Sequence, residues 1–264
     1  MASFTDKKLS EVYKDILHTS NSNTGITSIL KQITCGDGDK TSLYLSDRVL
    51  GVTPVADNSV IFSVNDTDGN ALLSADSTND LIKAGIGQHI VNTQYAYFGF
   101  GSDSNDGLSA NTHYLVPFFG MVNKINTFAV DIGTGTEPDT TFTTANTDSQ
   151  YASQLAQMLW YVPDNITIDA VYSIEGADAA TGDTTRMHLY SYTLNSGSTS
   201  ALADGALLAH NSDVTNAGNE QVYKSTWTID SANVAGGKVI CAFFRSDSVN
   251  SDFTTNITVK YHLR

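Results

Sequence analysis

Asp66, Asp68 and Asn70, in the run DTDGN, stand at the alternate positions with which a calcium loop begins. Such a loop needs oxygen donors at every second residue, a glycine for its sharp turn and a bidentate Glu to close it. Here Ala71 occupies the glycine position and Ser77 the position of the Glu. The spacing therefore stops short of a metal site, and Asp68-Gly69 reads as a hairpin turn. The oxygen-rich stretches GSDSNDG (101–107) and GADAATGD (176–183) could gather calcium or sugar hydroxyls, with solvated loop as the simpler reading. A pair of Asp in a cleft could hydrolyse a glycosidic bond. In a chain whose Asp sit mostly in turns, the sequence does not single out such a pair. His18, His89, His113, His188, His210 and His262 are scattered without ligand spacing, and Cys35 and Cys241 lie far apart with no redox or zinc pattern. No nucleophile elbow, phosphate-binding glycine loop or zinc-protease motif is present. The expectation is a protein with no catalytic residues, no metal and no cofactor.

The elements that would hold these residues follow from composition. Of 28 acidic residues only Glu11, Glu137, Glu175 and Glu220 are Glu; the rest are Asp, which favours turns and caps over helix interiors. With 20 Gly and abundant Asn, Ser and Thr, the chain is expected to be mostly β. A net charge of −14 over 264 residues, with no basic cluster beyond Lys7 and Lys8, argues against nucleic acid or an anionic membrane surface as partner. No apolar run is long enough to span a bilayer, and MASFTDKKLSEVYKD has no apolar core of the secretory kind.

Three regions are expected. Residues 1–24 carry an amphipathic helix over 5–18, with Leu9, Val12, Tyr13, Ile16 and Leu17 at helical spacing. A helix so short needs a surface to receive its stripe. That surface is on its own domain or on another protein, and the turn-rich SNSNTG that follows favours the second. Residues 25–92 alternate short apolar strands with polar turns, as a thin stem. Its strands are too short to bury a face alone, so they lie against a larger domain or against copies of themselves.

Residues 93–264 hold longer, aromatic strands of period two. Ile166, Ile168, Ala170, Tyr172 and Ile174 are expected on one face. Tyr223, Trp227 and Ile229 share another, as do Ile257, Val259, Tyr261 and Leu263 against Thr258, Lys260 and His262. The pattern predicts an antiparallel β-sandwich of jelly-roll type, with one or two helical turns within 149–157. Trp227, Tyr223 and Phe243 are assigned to its core, and binding to the long polar loops 176–185, 195–204 and 211–220.

The phrase FSVNDTDGNALLSADSTNDLIKAG resembles one common in fibre and spike proteins of tailed bacteriophages. LSEVYKDILHTSNSNTGI through GDGDKTSLYLSDRVLGV is similar to the N-terminal part of marine-phage virion proteins. The resemblance covers residues 1 to about 100; the remainder is similar to the β-sandwich heads of such proteins by pattern alone. It implies a homotrimer with an intertwined stem, in which Phe62, Val64, Leu72, Leu73, Leu81 and Ile82 are buried against the same residues of two neighbours. It further implies a virion location, with Leu9, Val12, Tyr13, Ile16 and Leu17 anchoring the chain to other virion proteins. The head would then meet a host-surface glycan. Tail fibre and head fibre both fit; capsid decoration, polysaccharide depolymerase and free lectin remain as alternatives.

Overall fold

A computed structural model describes residues 17–19, 25–102, 108–118, 130–144, 152–178, 181–248 and 252–264. The chain divides into two compact units, Met1–Val91 and Asn92–Arg264. Both are built from antiparallel sheets with almost no helix among the described residues, as the turn-forming composition demands.

In the first unit β1 (His18–Thr19), β2 (Lys31–Thr34), β3 (Lys40–Leu45) and β4 (Leu50–Val52) form one meander. A second consists of β5 (Phe62–Asn65), β6 (Ala71–Asp76), β7 (Leu81–Ala84) and β8 (His89–Ile90). The β5–β6 hairpin is closed by the DTDGN run. Asp66 Oδ1 accepts from the amides of Asp68 (2.9 Å) and Asn70 (2.8 Å), and Gly69 takes φ 86°, which a side chain would strain. The helix expected over 5–18 lies outside the described residues except at its end. There Leu17 is not helical and His18 opens a strand opposite Thr34.

The second unit contains β9 (Thr93–Ser102), β10 (Tyr114–Val116), a four-residue helix α1 (Ala152–Leu155), β11 (Trp160–Tyr161), β12 (Ile166–Asp178) and β13 (Thr184–Leu194). After these come β14 (Leu202–His210), β15 (Val214–Thr215), β16 (Gln221–Thr226), β17 (Thr228–Ile229), β18 (Asn233–Val234), β19 (Lys238–Ser246) and β20 (Asp252–Leu263). A seven-stranded sheet runs β10-β19-β13-β14-β17, with β11 on β19 and β15 on β13. A five-stranded sheet runs β16-β12-β20-β9, with β18 on β12.

The two sheets share a core to which Phe98, Val171, Ile257 and Val259 come from one and Leu189, Leu208 and Phe244 from the other. A second core lies on the opposite face of the seven-stranded sheet, where Tyr190, Tyr192, Cys241 and Phe243 are covered by Val130, Ile132, Phe142, Leu155 and Met158. The cover is held by Tyr190 Oη donating to Glu137 Oε2 (2.6 Å) and Tyr192 Oη donating to the Asp139 carbonyl (2.8 Å). Burial on both faces explains why β19 reads as a near-continuous apolar run and why β13 is buried along most of its length. The five-stranded sheet alternates, with one face turned to the core and one open.

One expected face is corrected. Ile166 and Ile168 point inward, but a β-bulge between Ile168 and Ala170 shifts the register, so Val171, Ser173 and Glu175 are buried and Tyr172 and Ile174 face out. The bulge residue, Asp169, accepts a 2.9 Å bond from His262 Nδ1. Trp227 and Phe243 are buried as expected, the indole donating to Ser173 Oγ at 2.9 Å, while Tyr223 is half-buried and its hydroxyl donates to Gln221.

Candidate functional site

Among the described residues no group of three His, Cys, Asp or Glu converges as metal ligands would. His188 meets His113 edge-on and His210 at a tilt, at ring separations of 5.1 and 6.4 Å. His113 and His188 are wholly buried. His113 Nε2 meets the Gly135 carbonyl at 3.1 Å, and neither nitrogen of His188 has a partner within the described chain. Burial lowers their pKa values to about 4 and about 3, so both rings are neutral near pH 7. Glu175 is buried between the sheets, donated to by Thr185 Oγ1 at 2.7 Å, and burial raises its pKa.

A depression lined by Gly176, Asp178, Glu220, Val222, Asp252 and Thr254 lies at one end of the five-stranded sheet. Asp178 and Asp252 are directly opposite on neighbouring strands. Asp178, Glu220 and Asp252 thus bring three carboxylates to one depression.

Two sheet faces stand out more strongly. In the first unit, cross-strand pairing places Phe62, Ala75 and Ile82 in one row and Val64, Leu73 and Ala84 in the next, all on one face. Phe62, Val64, Leu73 and Ile82 are 37–49% exposed. The opposite face is polar and closed. Ser74 and Asp76 are buried, with Ser74 Oγ donating to Gln88 Oε1 (2.6 Å), and Asp76 Oδ2 accepting from Lys83 Nζ (2.9 Å) and Asn79 Nδ2 (2.9 Å). Hydrogen bonding by Asn79, followed by Lys83, lowers the Asp76 pKa to about 2. Of the six stem residues expected to act together, Phe62, Val64, Leu73 and Ile82 do share this face. Leu72 sits in the bulge between the Val64–Leu73 and Asn65–Ala71 pairs, and Leu81 lies opposite Asp76 on the polar side.

The other face is the open side of the five-stranded sheet. Reading across β9, β20, β12 and β16, one row is Tyr97, Thr258, Tyr172 and Thr226; the next is Gly99, Asn256, Ile174 and Lys224; the third is Gly101, Thr254, Gly176 and Val222. Tyr95 and Lys260 extend it past the first row. Tyr95, Tyr97, Tyr172, Ile174 and Val222 are all exposed.

Sequence reasoning missed these tyrosines. In TQYAYFGFG both registers are apolar, so Ala96, Phe98 and Phe100 could not be told from Tyr95 and Tyr97 as the inward set. The loops expected to bind are partly built into the fold: Asn211 and Asn216 are buried, Asn211 Oδ1 accepting from the Met187 amide at 2.7 Å. Leu9, Val12, Tyr13 and Ile16 lie outside the described residues, and Leu17 is exposed. A scan against protein-family models finds no match, and neither does a search of curated proteins.

Proposed function

We propose that this chain is a non-enzymatic structural protein of a phage virion. In this reading it is a homotrimeric fibre, anchored to the particle through its N-terminal segment, with a jelly-roll head that adheres to host-surface glycan. The observation that carries it is the inverted burial of the first unit. Every buried side chain among its described residues is polar, namely Thr34, Ser46, Ser74 and Asp76, whereas the buried apolar side chains among the described residues all lie between Ala96 and Val259. A sheet that hides its polar face and presents Phe62, Val64, Leu73 and Ile82 has yet to gain most of its hydrophobic stabilisation. Fully burying such a side chain contributes about 1.5–3 kcal/mol. Completing four half-exposed ones in each of three chains contributes on the order of 10 kcal/mol towards assembly, from which the cost of association is subtracted.

Antibodies against the second unit, applied to particles released from the host and imaged by electron microscopy, test the assignment. Label at the tips of projections supports the fibre, and label spread over the capsid supports a decoration protein. Particles without label would remove the virion role. Deleting residues 1–20 should take the protein off the particle while the second unit stays folded. The carboxylates Asp178, Glu220 and Asp252 at one depression favour a second reading, a depolymerase. New reducing ends in a polysaccharide that vanish on Asp178→Asn would establish it.

A further inference from the structure

The open face of the five-stranded sheet differs in kind from the stem face. Its apolar groups are separated by hydrogen-bonding ones: Thr258 stands between Tyr97 and Tyr172, and Asn256 beside Ile174. No side chain of Tyr95, Tyr97, Tyr172, Asn256, Lys224 or Lys260 makes a hydrogen bond, ion pair or ring contact within the described chain, so these groups are available to a ligand. Tyr97 and Tyr172 stand two strands apart, about 9.6 Å at the usual spacing between neighbours.

Along β9 the tyrosines give way to Gly99 and Gly101, leaving bare backbone beside Asn256 and Thr254. Thr254 sits close over its neighbours: a Cβ on Gly101 would lie 3.3 Å from its Cγ2, and one on Gly176 would lie 2.8 Å from its Oγ1. The glycines keep this row low. The result is an aromatic shelf that continues into a shallow lane, about 20 Å from Tyr95 to Gly101 at 3.4 Å per residue.

We propose that this face, and not the loops, is the glycan-binding platform of the head, and that it takes an extended polysaccharide of pyranose sugars. Tyr97 and Tyr172 stack on the apolar faces of sugar rings. Asn256, Thr258, Lys224 and Lys260 bond hydroxyl or acidic substituents, and the Gly99–Gly101 lane accommodates the continuing strand. The alternation of aromatic rings with hydrogen-bonding neighbours matches a sugar, whose ring has an apolar face edged by hydroxyl groups. The proposal rests on the reading of the second unit as an adhesive head.

Full-length protein run by native electrophoresis through gels containing laminarin, mannan, xylan, alginate or polysaccharide extracted from the host surface tests it. The protein should be retarded in at least one gel. Tyr97→Ala and Tyr172→Ala should each weaken that retardation about tenfold, the factor that corresponds to ~1.4 kcal/mol, and Tyr97→Phe should retain it. Since neither ring is buried or bonded, both alanine variants should melt as the unaltered protein does. Retardation that survives both substitutions would move binding elsewhere on an adhesive head, overturning the platform alone. No retardation in any gel, with label still present on particles, would overturn glycan recognition and leave the virion role standing. A drop in assembly mass on Tyr97→Ala would make the face an interface between copies, and the proposal would fall.

Discussion

The β5–β8 sheet of the first unit and the five-stranded sheet of the second are both antiparallel and both present apolar side chains on an open face. They differ in what lies behind that face. Behind Tyr97 and Tyr172 are Phe98, Val171, Ile257 and Val259, wholly buried against a second sheet. Behind Phe62, Val64, Leu73 and Ile82 is a hydrogen-bonded layer of Ser74, Asp76, Lys83 and Gln88. The five-stranded sheet thus has a full apolar core behind its open face, whereas the β5–β8 sheet has only this polar layer behind its own. Under the proposed function, an exposed apolar residue means recognition in the second unit and assembly in the first.

Substitutions should separate the two meanings, beginning with the largest effect. Phe98→Ala, in the core, should cost about 3–5 kcal/mol and lower the melting temperature of the second unit by about 10 °C or more without altering assembly directly. Leu73→Asp with Ile82→Asp should do the reverse, releasing single chains whose second unit melts unchanged in calorimetry.

Acid should act next. His113 and His188 are neutral in the fold, with pKa values lowered to about 4 and about 3, whereas unfolded histidine titrates near 6.5. Above pH ~6.5 neither state binds the proton and stability is flat. As pH falls below that value the unfolded state binds protons that the folded state refuses. The second unit should then lose up to about 1.4 kcal/mol per pH unit for each ring until the folded pKa is reached. His188→Leu should reduce the slope of melting temperature against pH between 6 and 4. The smallest effect belongs to Asp76. Its lowered pKa gives the first unit stability that is present above the ordinary carboxylate pKa and lost as pH falls through about 2. Hydrogen exchange in β6 and β7 should quicken there, and in Asp76→Asn should no longer respond to that pH.

The mostly β character, the DTDGN hairpin and the short strands of the first unit were legible because turn residues and strand length act locally. Which way a strand faces was not. In ITIDAVYSI a strict alternation puts Tyr172 with Ile168, and only the bulge at Asp169, fixed by distant His262, reverses it. In RMHLYSYTL nothing local shows that both faces are buried, because the second core that covers one of them is assembled from residues 130–158, remote in sequence. The stem residues divided for the same reason: Leu72 and Leu81 are as apolar as Leu73 and Ile82, and only cross-strand register separates them.

Under the proposed function, copies of the chain complete the apolar face of the first unit. Light scattering on the intact protein, followed down to micromolar concentration, tests it most directly. The expected mass is three times that of one chain, falling to a single chain in the Leu73→Asp, Ile82→Asp variant. A single-chain mass for the unaltered protein, or a trimer that survives both substitutions, would contradict it.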